Sequence, residues 1–157
     1  MGLFKRFFRS MGYACKGIKL GIKEERNMRI DIVAMFFVWF HIQFFGLTRA
    51  ETAIVVMVTF LIPAFELMNT AVERAVHKPD ADHWMPAGDA KDTAAGAVLI
   101  MTVGVVGIAG IMFFDVQGIT NVIEYYTSGV LQPLGLAAYI VAAYFFITID
   151  NYNKKDK

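Results

Sequence analysis

Charge and cysteine are both scarce in this 157-residue chain. Only 18% of the residues are charged, and the formal net charge is +1. We expect no nucleic-acid partner. The single cysteine, Cys15, excludes an internal disulfide bond. The sequence also contains neither GxxxxGKS/T nor GxGxxG, which excludes a P-loop and the glycine-rich loop of soluble kinases.

Apolar residues dominate instead, and they occur in long uncharged runs. The chain is 57% hydrophobic and 14% aromatic, more than one soluble core of this size needs. Four runs have the length of a membrane-spanning helix; a membrane-spanning strand would be half as long and alternating. They are residues 32–47, 52–72, 94–114 and 130–149. The sequence therefore predicts an all-α membrane protein with four transmembrane helices, the second of them kinked at Pro63.

The basic residues indicate how these helices are oriented. Eight of the fifteen lysines and arginines precede residue 32, three lie between the second and third runs, and three follow the fourth. Arg49 alone falls on the other side. Because basic residues concentrate on the cytoplasmic side, we expect a multi-pass plasma-membrane protein with both termini and a loop at 74–93 in the cytoplasm. An outer loop at 115–129 then lies on the far side.

The first 23 residues form an element of their own. Apolar side chains recur at alternating intervals of four and three residues, the spacing of one helical face: Phe4, Phe8, Met11, Cys15, Ile18 and Ile22. Lysines and arginines occupy the other sides. The pattern predicts an amphipathic helix that lies in the surface of the lipid bilayer and is attracted by anionic lipid. Its glycines indicate a bend or close packing against another element.

Three polar side chains interrupt the second apolar run on one helical face. Glu66, Asn69 and Glu73 stand at i, i+3 and i+7, so the two carboxylates lie about 10 Å apart along the helix axis, with the amide between them. An ionisable group in a membrane span costs roughly 2–3 kcal/mol near the bilayer centre and less near its surface. Two such groups on one face therefore indicate a functional site.

A second polar cluster precedes the third apolar run. Asp89, Lys91 and Asp92 place a cation and further carboxylates at the same membrane surface as Glu73. Magnesium takes one or two carboxylates together with phosphate oxygens, and lysine binds phosphate as a point charge. The combination favours magnesium and phosphate chemistry on a lipid at the water–lipid boundary.

Residues 66–73, ELMNTAVE, followed by Ala90-Lys91-Asp92 and an apolar helix, resemble the signature of the prokaryotic diacylglycerol kinase and undecaprenol kinase family. The resemblance extends over roughly residues 5–114. It implies a small, trimeric, integral-membrane lipid kinase of the bacterial plasma membrane that uses ATP and Mg²⁺. The segments ERNMRI and AKDTAAGAVL resemble the undecaprenol kinase branch of this family more closely than the diacylglycerol kinase branch.

The resemblance also divides the chain into three parts. Residues 1–30 match the amphipathic surface helix and interface segment, and residues 31–114 match a three-span kinase core with its cytosolic loop. Residues 115–157 add an outer loop, a fourth span and a basic cytosolic tail that the family core does not normally have. The sequence does not place this fourth span relative to the core.

Individual residues receive roles from the same resemblance. Glu25 and Glu73 match carboxylates that bind magnesium, and Glu66 matches the proposed general base. The implied nucleotide site comprises Tyr13, Lys16, Glu25, Glu73, His83, Trp84, Gly88, Lys91 and Asp92. The implied lipid-substrate site comprises Arg6, Asp31 and Glu66. Asn69 is a candidate to hydrogen-bond the transferred phosphoryl group or the attacking hydroxyl.

Two single positions depart from the family pattern. His77 stands one turn beyond Glu73, where the family usually has aspartate, and this bears on the metal end of the site. Ala95 stands where some members have serine, so one contact to a lipid headgroup is missing.

Structural roles compete with several of these assignments. In the alternative interpretation, Glu66 and Glu73 form ion pairs with Arg29 or Lys91 that only fix the packing of the helices. Asp92 has the alternative role of capping the N-terminus of the third membrane helix. Trp84 has the alternative role of an anchor at the membrane interface.

Two other functions compete with an undecaprenol kinase. One is a diacylglycerol kinase of the same family. The other belongs to a different class, a non-enzymatic membrane protein that binds or transports ions. A transporter would favour carboxylates near the bilayer midplane, whereas the candidates here cluster at the cytosolic boundary.

Overall fold

The computed structural model describes residues 2–76 and 84–149, with the backbone alone at 84–86. Within these residues all regular structure is helical, which confirms the predicted all-α class. The elements are α1 (Leu3–Glu24), α2 (Arg26–His41), a 3₁₀ turn (Ile42–Phe44), α3 (Arg49–Ala75), α4 (Trp84–Phe113), α5 (Val116–Thr127) and α6 (Leu131–Thr148).

Three helices of the described chain are long and apolar enough to cross a membrane. They are Arg49–Ala75, Ala87–Phe113 and Leu131–Thr148, which correspond to the second, third and fourth predicted spans. The first predicted span, 32–47, falls on α2 and the 3₁₀ turn, and α2 alone has only 16 residues. Sixteen α-helical residues and three 3₁₀ residues together reach about 30 Å, the thickness of the hydrocarbon core. A four-span chain therefore stays a prediction.

The N-terminal helix α1 lies where the sequence predicts an amphipathic helix, and its location in the bilayer surface stays a prediction. It is continuous through Gly12 and Gly17, and its large apolar side chains are exposed, as in a helix whose apolar face meets lipid. Its last turn packs against α3. A β-carbon at Gly21 would lie only 2.5 Å from Leu67 Cδ2, so the glycine allows the two helices to approach closely.

The helix α3, which carries the acidic motif, begins at a capping box. The Thr48 hydroxyl accepts a hydrogen bond from the Glu51 amide, and the Glu51 carboxylate accepts one from the Thr48 amide. The helix continues through Pro63. Near its middle, the indole of Trp39 donates a hydrogen bond to the Thr59 hydroxyl at 3.0 Å, which joins α2 to α3.

The helix α4 begins earlier than the sequence predicts. Only residues 76–83 separate the last residue of α3 from Trp84, so the predicted loop at 74–93 is too long at both ends. Asp92 lies inside α4 and is not its N-cap, which makes the capping alternative wrong. Hydropathy marks where a helix enters lipid and not where its backbone becomes helical, so the part of α4 outside the apolar run escaped prediction.

The four longest helices after α1 pack in a row. α4 lies on α3, α3 on α2, and α2 on α6. α1 contacts α2 and α3 near the N-terminus of α2, whereas α5 contacts the 3₁₀ turn and α6 at the opposite end. The bundle therefore has two differently built ends, one contacted by α1 and the other by α5.

A helix, α5, replaces the outer loop predicted at 115–129. The Asp115 carboxylate caps it by accepting a hydrogen bond from the Gly118 amide at 2.6 Å. Gly118 lies so close to the ring of Phe45 that no β-carbon fits. The Asn121 amide donates to the Phe44 carbonyl oxygen at 2.8 Å. Twelve residues are too few for a membrane span, so the lengths of the apolar runs did not predict this helix.

The fourth predicted span, α6, docks on α2 through two polar side chains. The Tyr139 hydroxyl donates to the Val33 carbonyl oxygen. Arg29 donates through Nε to the Ile147 carbonyl oxygen at 3.3 Å, and its Nη1 donates to two carbonyl oxygens at the end of α1. Within one chain, α6 packs on the side of α2 away from α3.

Candidate functional site

Glu66 is the buried centre of the acidic motif. Its side chain has a relative exposure of 9% and lies near the end of α3 where α1 and α2 meet. The side chain of Asn27, in the first turn of α2, lies beside the carboxylate. The backbone carbonyl of Glu66 accepts a hydrogen bond from the Thr70 hydroxyl at 2.9 Å, one turn further along the buried part of α3. A carboxylate in such a place is costly to bury, which makes Glu66 a candidate functional residue.

Three further carboxylates, those of Glu25, Glu73 and Asp31, interact electrostatically with Glu66. Glu66 experiences the charges of Glu25 and Glu73, and Asp31 experiences the charge of Glu66. Glu25 is the extended residue between α1 and α2, with φ −101° and ψ 119°, and Asp31 lies in the second turn of α2. Three helices thus bring together the carboxylates that the sequence assigned to metal, base and lipid substrate.

Two buried oxygens near the motif lack a hydrogen-bond partner in the described part of the chain. They are Asp31 Oδ2 and Asn69 Oδ1. Buried polar atoms are satisfied in the great majority of cases, and an orphan leaves a desolvation penalty of about 1–3 kcal/mol. Both atoms are therefore available to a bound group; Asp31 lies on α2, and Asn69 lies on α3, the helix that also carries Glu66.

An ion pair fastens the surface helix to this end of the bundle. Arg74 Nη2 lies 2.9 Å from Glu24 Oε2, and both side chains are partly exposed. Such a pair adds little stability, but it links the last residue of α1 to the last turn of α3. Within the described residues, neither Glu66 nor Glu73 pairs with Arg29 or Lys91, so that alternative role is wrong for these partners.

The carboxylates suit magnesium better than a metal held by protein alone. Across residues 2–76 and 84–149, no group of three or more His, Cys, Asp or Glu side chains is placed to hold a metal ion. Magnesium needs only one or two carboxylates when phosphate oxygens and water complete its shell. Glu25 and Glu73, which both act on Glu66, therefore fit the group that the resemblance implies.

The remaining predicted site residues are not brought into the cluster. Those described with side chains are exposed on α1 or α4: Arg6, Tyr13, Lys16, Gly88, Lys91 and Asp92. The Lys16 ammonium lies 5.8 Å from the centre of the Tyr13 ring, so these two contact each other. Trp84 is the first residue of α4, while His83 and His77 lie outside the described residues.

Sequence reasoning missed Asn27 and the pair formed by Glu24 and Arg74. Asn27 stands two residues after Glu25 at the beginning of α2, between Arg26 and Met28, and no local pattern in the sequence singled it out. Glu24 and Arg74 are 50 residues apart, and nothing in the sequence indicates that they meet. At the other end of α2, His41 Nε2 lies 2.9 Å from the Tyr126 hydroxyl on α5.

An all-helical bundle with three helices apolar enough to span a membrane, and a buried acidic cluster near one end, defines an α-helical membrane protein. The sequence model of one family, described as prokaryotic diacylglycerol kinase, matches residues 12–113. The chain belongs to this family of lipid kinases, as the resemblance predicted. The match ends with α4, so α5 and α6 lie beyond it.

Individual relatives agree with this assignment. The chain is 31% identical to a diacylglycerol kinase of Haemophilus influenzae over 67% of this chain and 90% of the relative. It is 33% identical to an undecaprenol kinase of Bacillus subtilis over 69% of this chain and 88% of the relative. A diacylglycerol kinase of Helicobacter pylori is 29% identical over 62% and 76%, respectively. No solved structure matches the chain.

Proposed function

We propose that this protein is an ATP- and Mg²⁺-dependent kinase that phosphorylates the hydroxyl group of a membrane lipid alcohol. The observation that carries the proposal is the buried Glu66, surrounded by further carboxylates near the end of the bundle where the amphipathic helix joins it. A site at that boundary can meet ATP from water and a lipid from the bilayer. Membership of the family supports the same reaction class.

Undecaprenol is the preferred acceptor in this proposal, and diacylglycerol is the alternative. The sequence around Glu25 and the AKDTAAGAVL segment support undecaprenol, because they resemble that branch of the family. The relatives do not separate the two, since one undecaprenol kinase and one diacylglycerol kinase have similar identities of 33% and 31%. Both acceptors present a primary hydroxyl at the membrane surface, and the same site chemistry serves either one.

Glu25 and Glu73 would hold the magnesium ion. When bound, the ion would neutralise charge on the phosphates of ATP. The two carboxylates come from different elements, the α1–α2 junction and the last turns of α3. The Glu24–Arg74 pair next to them keeps these two elements together. The exposed Lys91 and the Tyr13–Lys16 pair are proposed to contact the nucleotide, together with Gly88 and Asp92.

Glu66 is proposed to take the proton from the lipid hydroxyl. It lies about 10 Å deeper along α3 than Glu73, where the headgroup of a lipid with its tail in the bilayer can reach it. Asn69, between the two, positions the attacking hydroxyl or the transferred group. Asp31, with its unpartnered Oδ2, is proposed to hold the lipid headgroup.

A homotrimer with both termini in the cytoplasm completes the proposal. Two apolar helices leave all residues of their most hydrophobic stretches unburied within one chain: α4 and α6. A β-carbon at Gly104 or Gly107 of α4 would meet no other atom within 4 Å, so this small-residue face is available to a helix of another protomer. The distribution of basic residues supports the orientation.

A direct assay compares acceptors under identical conditions. Purified full-length protein in detergent is given radiolabelled ATP with undecaprenol, diacylglycerol or another lipid alcohol, and the label in extracted lipid is counted. We expect transfer to undecaprenol to exceed transfer to diacylglycerol, and the reverse order would assign the alternative acceptor. Glu124→Gln, an exposed carboxylate on α5, is the matched control for substitutions in the site. Absence of labelled lipid with every alcohol would contradict the proposal.

A further inference from the structure

A cavity of about 390 Å³ lies at the end of the bundle opposite the acidic cluster. Residues of α2, α5 and α6 form its walls, and His41 at the end of α2 is among them. Twelve residues of α2 separate His41 from Arg29, which is about 18 Å along the helix. The cavity is therefore distinct from the candidate active site. Its α5 and α6 walls also lie beyond residues 12–113, the part that matches the family.

Aromatic rings make most of this cavity apolar. Phe36, Phe40 and Tyr125 line it together with Leu136. Phe36 and Phe40 remain 53% and 43% exposed, so the wall that they form is open at the surface of the chain. An open apolar wall of this kind is suited to a hydrocarbon chain.

The tyrosine at one side of the cavity has a free acceptor. His41 Nδ1 is 2.7 Å from the Phe37 carbonyl oxygen, which can only accept, so the ring proton of neutral His41 is on Nδ1. His41 Nε2 is then an acceptor, and the Tyr126 hydroxyl donates to it at 2.9 Å. The lone pairs of the Tyr126 oxygen remain available to a donor on a ligand.

A second polar group in the same cavity has no partner at all. Gln132 Oε1 is buried and unpartnered in the described part of the chain, and Gln132 lines the cavity. A terminal amide exposes either its oxygen or, after rotation, its nitrogen, and a hydroxyl group satisfies both because it donates and accepts. The polar end of the cavity is therefore matched to a hydroxyl group.

We propose that this cavity binds a membrane lipid that carries a free hydroxyl. The hydroxyl occupies the polar end formed by Gln132 and Tyr126, and the hydrocarbon chain follows the wall formed by Phe36 and Phe40. This site is separate from catalysis and does not rest on the proposed function. Its chemistry selects a lipid alcohol over the same lipid with its hydroxyl blocked.

Photo-crosslinking tests this site on the full-length protein in nanodiscs without ATP. The probe is a diacylglycerol with a diazirine in one acyl chain, and the comparison probe is its O-acetyl derivative. Crosslinks are mapped by peptide mass spectrometry, and only those in residues 116–139 are counted. We expect the hydroxylated probe to label this segment about two- to tenfold more than the acetylated one, the range that one hydrogen bond gives.

Two substitutions make the test specific. A β-carbon at Gly135, which lines the cavity, meets no other atom within 4 Å, so Gly135→Phe fills the space and should bring labelling to background. Leu134→Phe is the control, because Leu134 is 58% exposed and does not line the cavity. Gln132→Leu should remove the difference between the probes. Equal labelling by both probes in the unsubstituted protein, or unchanged labelling in Gly135→Phe, would overturn the proposal.

Discussion

The surroundings of Glu66 favour a functional use of its charge. The fold buries it to 9% exposure and sets three other carboxylates around it, with Asn27 beside it. Mutually repelling carboxylates at one place are typical of a site that gains a cation when it binds its substrate. The unpartnered oxygens of Asp31 and Asn69 point to the same conclusion.

Replacing Glu66 by glutamine should separate chemistry from binding. Glu66→Gln keeps the size of the side chain and removes its basicity, so we expect kcat to fall by roughly 10²–10⁴, the usual contribution of a general base. The affinity for ATP should change little, because the nucleotide groups are elsewhere. Steady-state kinetics with Glu124→Gln as the control measures both. A near-normal kcat with weakened ATP affinity would place Glu66 in the nucleotide site instead.

Glu25 and Glu73 are expected to depend on each other through one magnesium ion. Glu25→Gln and Glu73→Gln should each nearly abolish turnover, and residual activity should require more magnesium for half-saturation. The proposed trimer should remain folded, as judged by size-exclusion chromatography and thermal unfolding. Unchanged turnover in Glu73→Gln would remove this carboxylate from the metal site.

Helices were predictable where an apolar pattern begins and ends with them. α3 and α6 extend at most three residues beyond or within their predicted spans, and α1 follows its amphipathic repeat closely. The start of α4 was not predictable, because its first turns carry Gly88, Lys91 and Asp92 and lie outside the apolar run. α5 escaped because its contacts with the 3₁₀ turn, through Gly118 and Asn121, join segments about 75 residues apart.

The same distinction applies to the candidate site. The i, i+3, i+7 spacing on α3 was sufficient to find Glu66, Asn69 and Glu73, since one helix fixes their relation. Asn27 required the packing of α2 on α3, which no local pattern encodes. The side chain of Asn27 lies beside Glu66 only because α2 packs on α3.

The contact between α1 and α3 gives a test at the level of elements. A β-carbon at Gly21 would lie 2.5 Å from Leu67 Cδ2, so we expect Gly21→Ala to destabilise the protein by about 1–3 kcal/mol through overpacking. Thermal unfolding in detergent measures this as a lower midpoint, together with reduced activity because Glu25 shifts.

Two further variants show whether the clash is the cause. Leu67→Ala combined with Gly21→Ala should recover stability relative to the sum of the two single changes, since neighbouring sites couple. Gly17→Ala is the matched control, because nothing lies within 4 Å of its added β-carbon, and it should be neutral or stabilising. Additive effects of Gly21→Ala and Leu67→Ala would contradict close packing at this position.

At the scale of the whole molecule, we expect α1 and α5 to lie on opposite sides of the membrane. The test uses Ser10→Cys on α1 and Glu124→Cys on α5, both exposed, in a background in which Cys15 is replaced by alanine. A membrane-impermeant thiol reagent applied to intact cells should label position 124 and not position 10, because basic residues stay inside. Labelling of both positions, or of position 10 alone, would contradict the four-span topology.

The central claim is that the acidic cluster transfers phosphate from ATP to a lipid hydroxyl. Phosphorus NMR on the purified protein, incubated with ATP, magnesium and undecaprenol, measures ADP and the lipid phosphomonoester in one sample. We predict that the two appear in equal amounts, and that Glu66→Gln slows both by roughly 10²–10⁴ while Glu124→Gln slows neither. ADP and inorganic phosphate without phosphorylated lipid, or no ATP turnover with any lipid alcohol, would contradict the account.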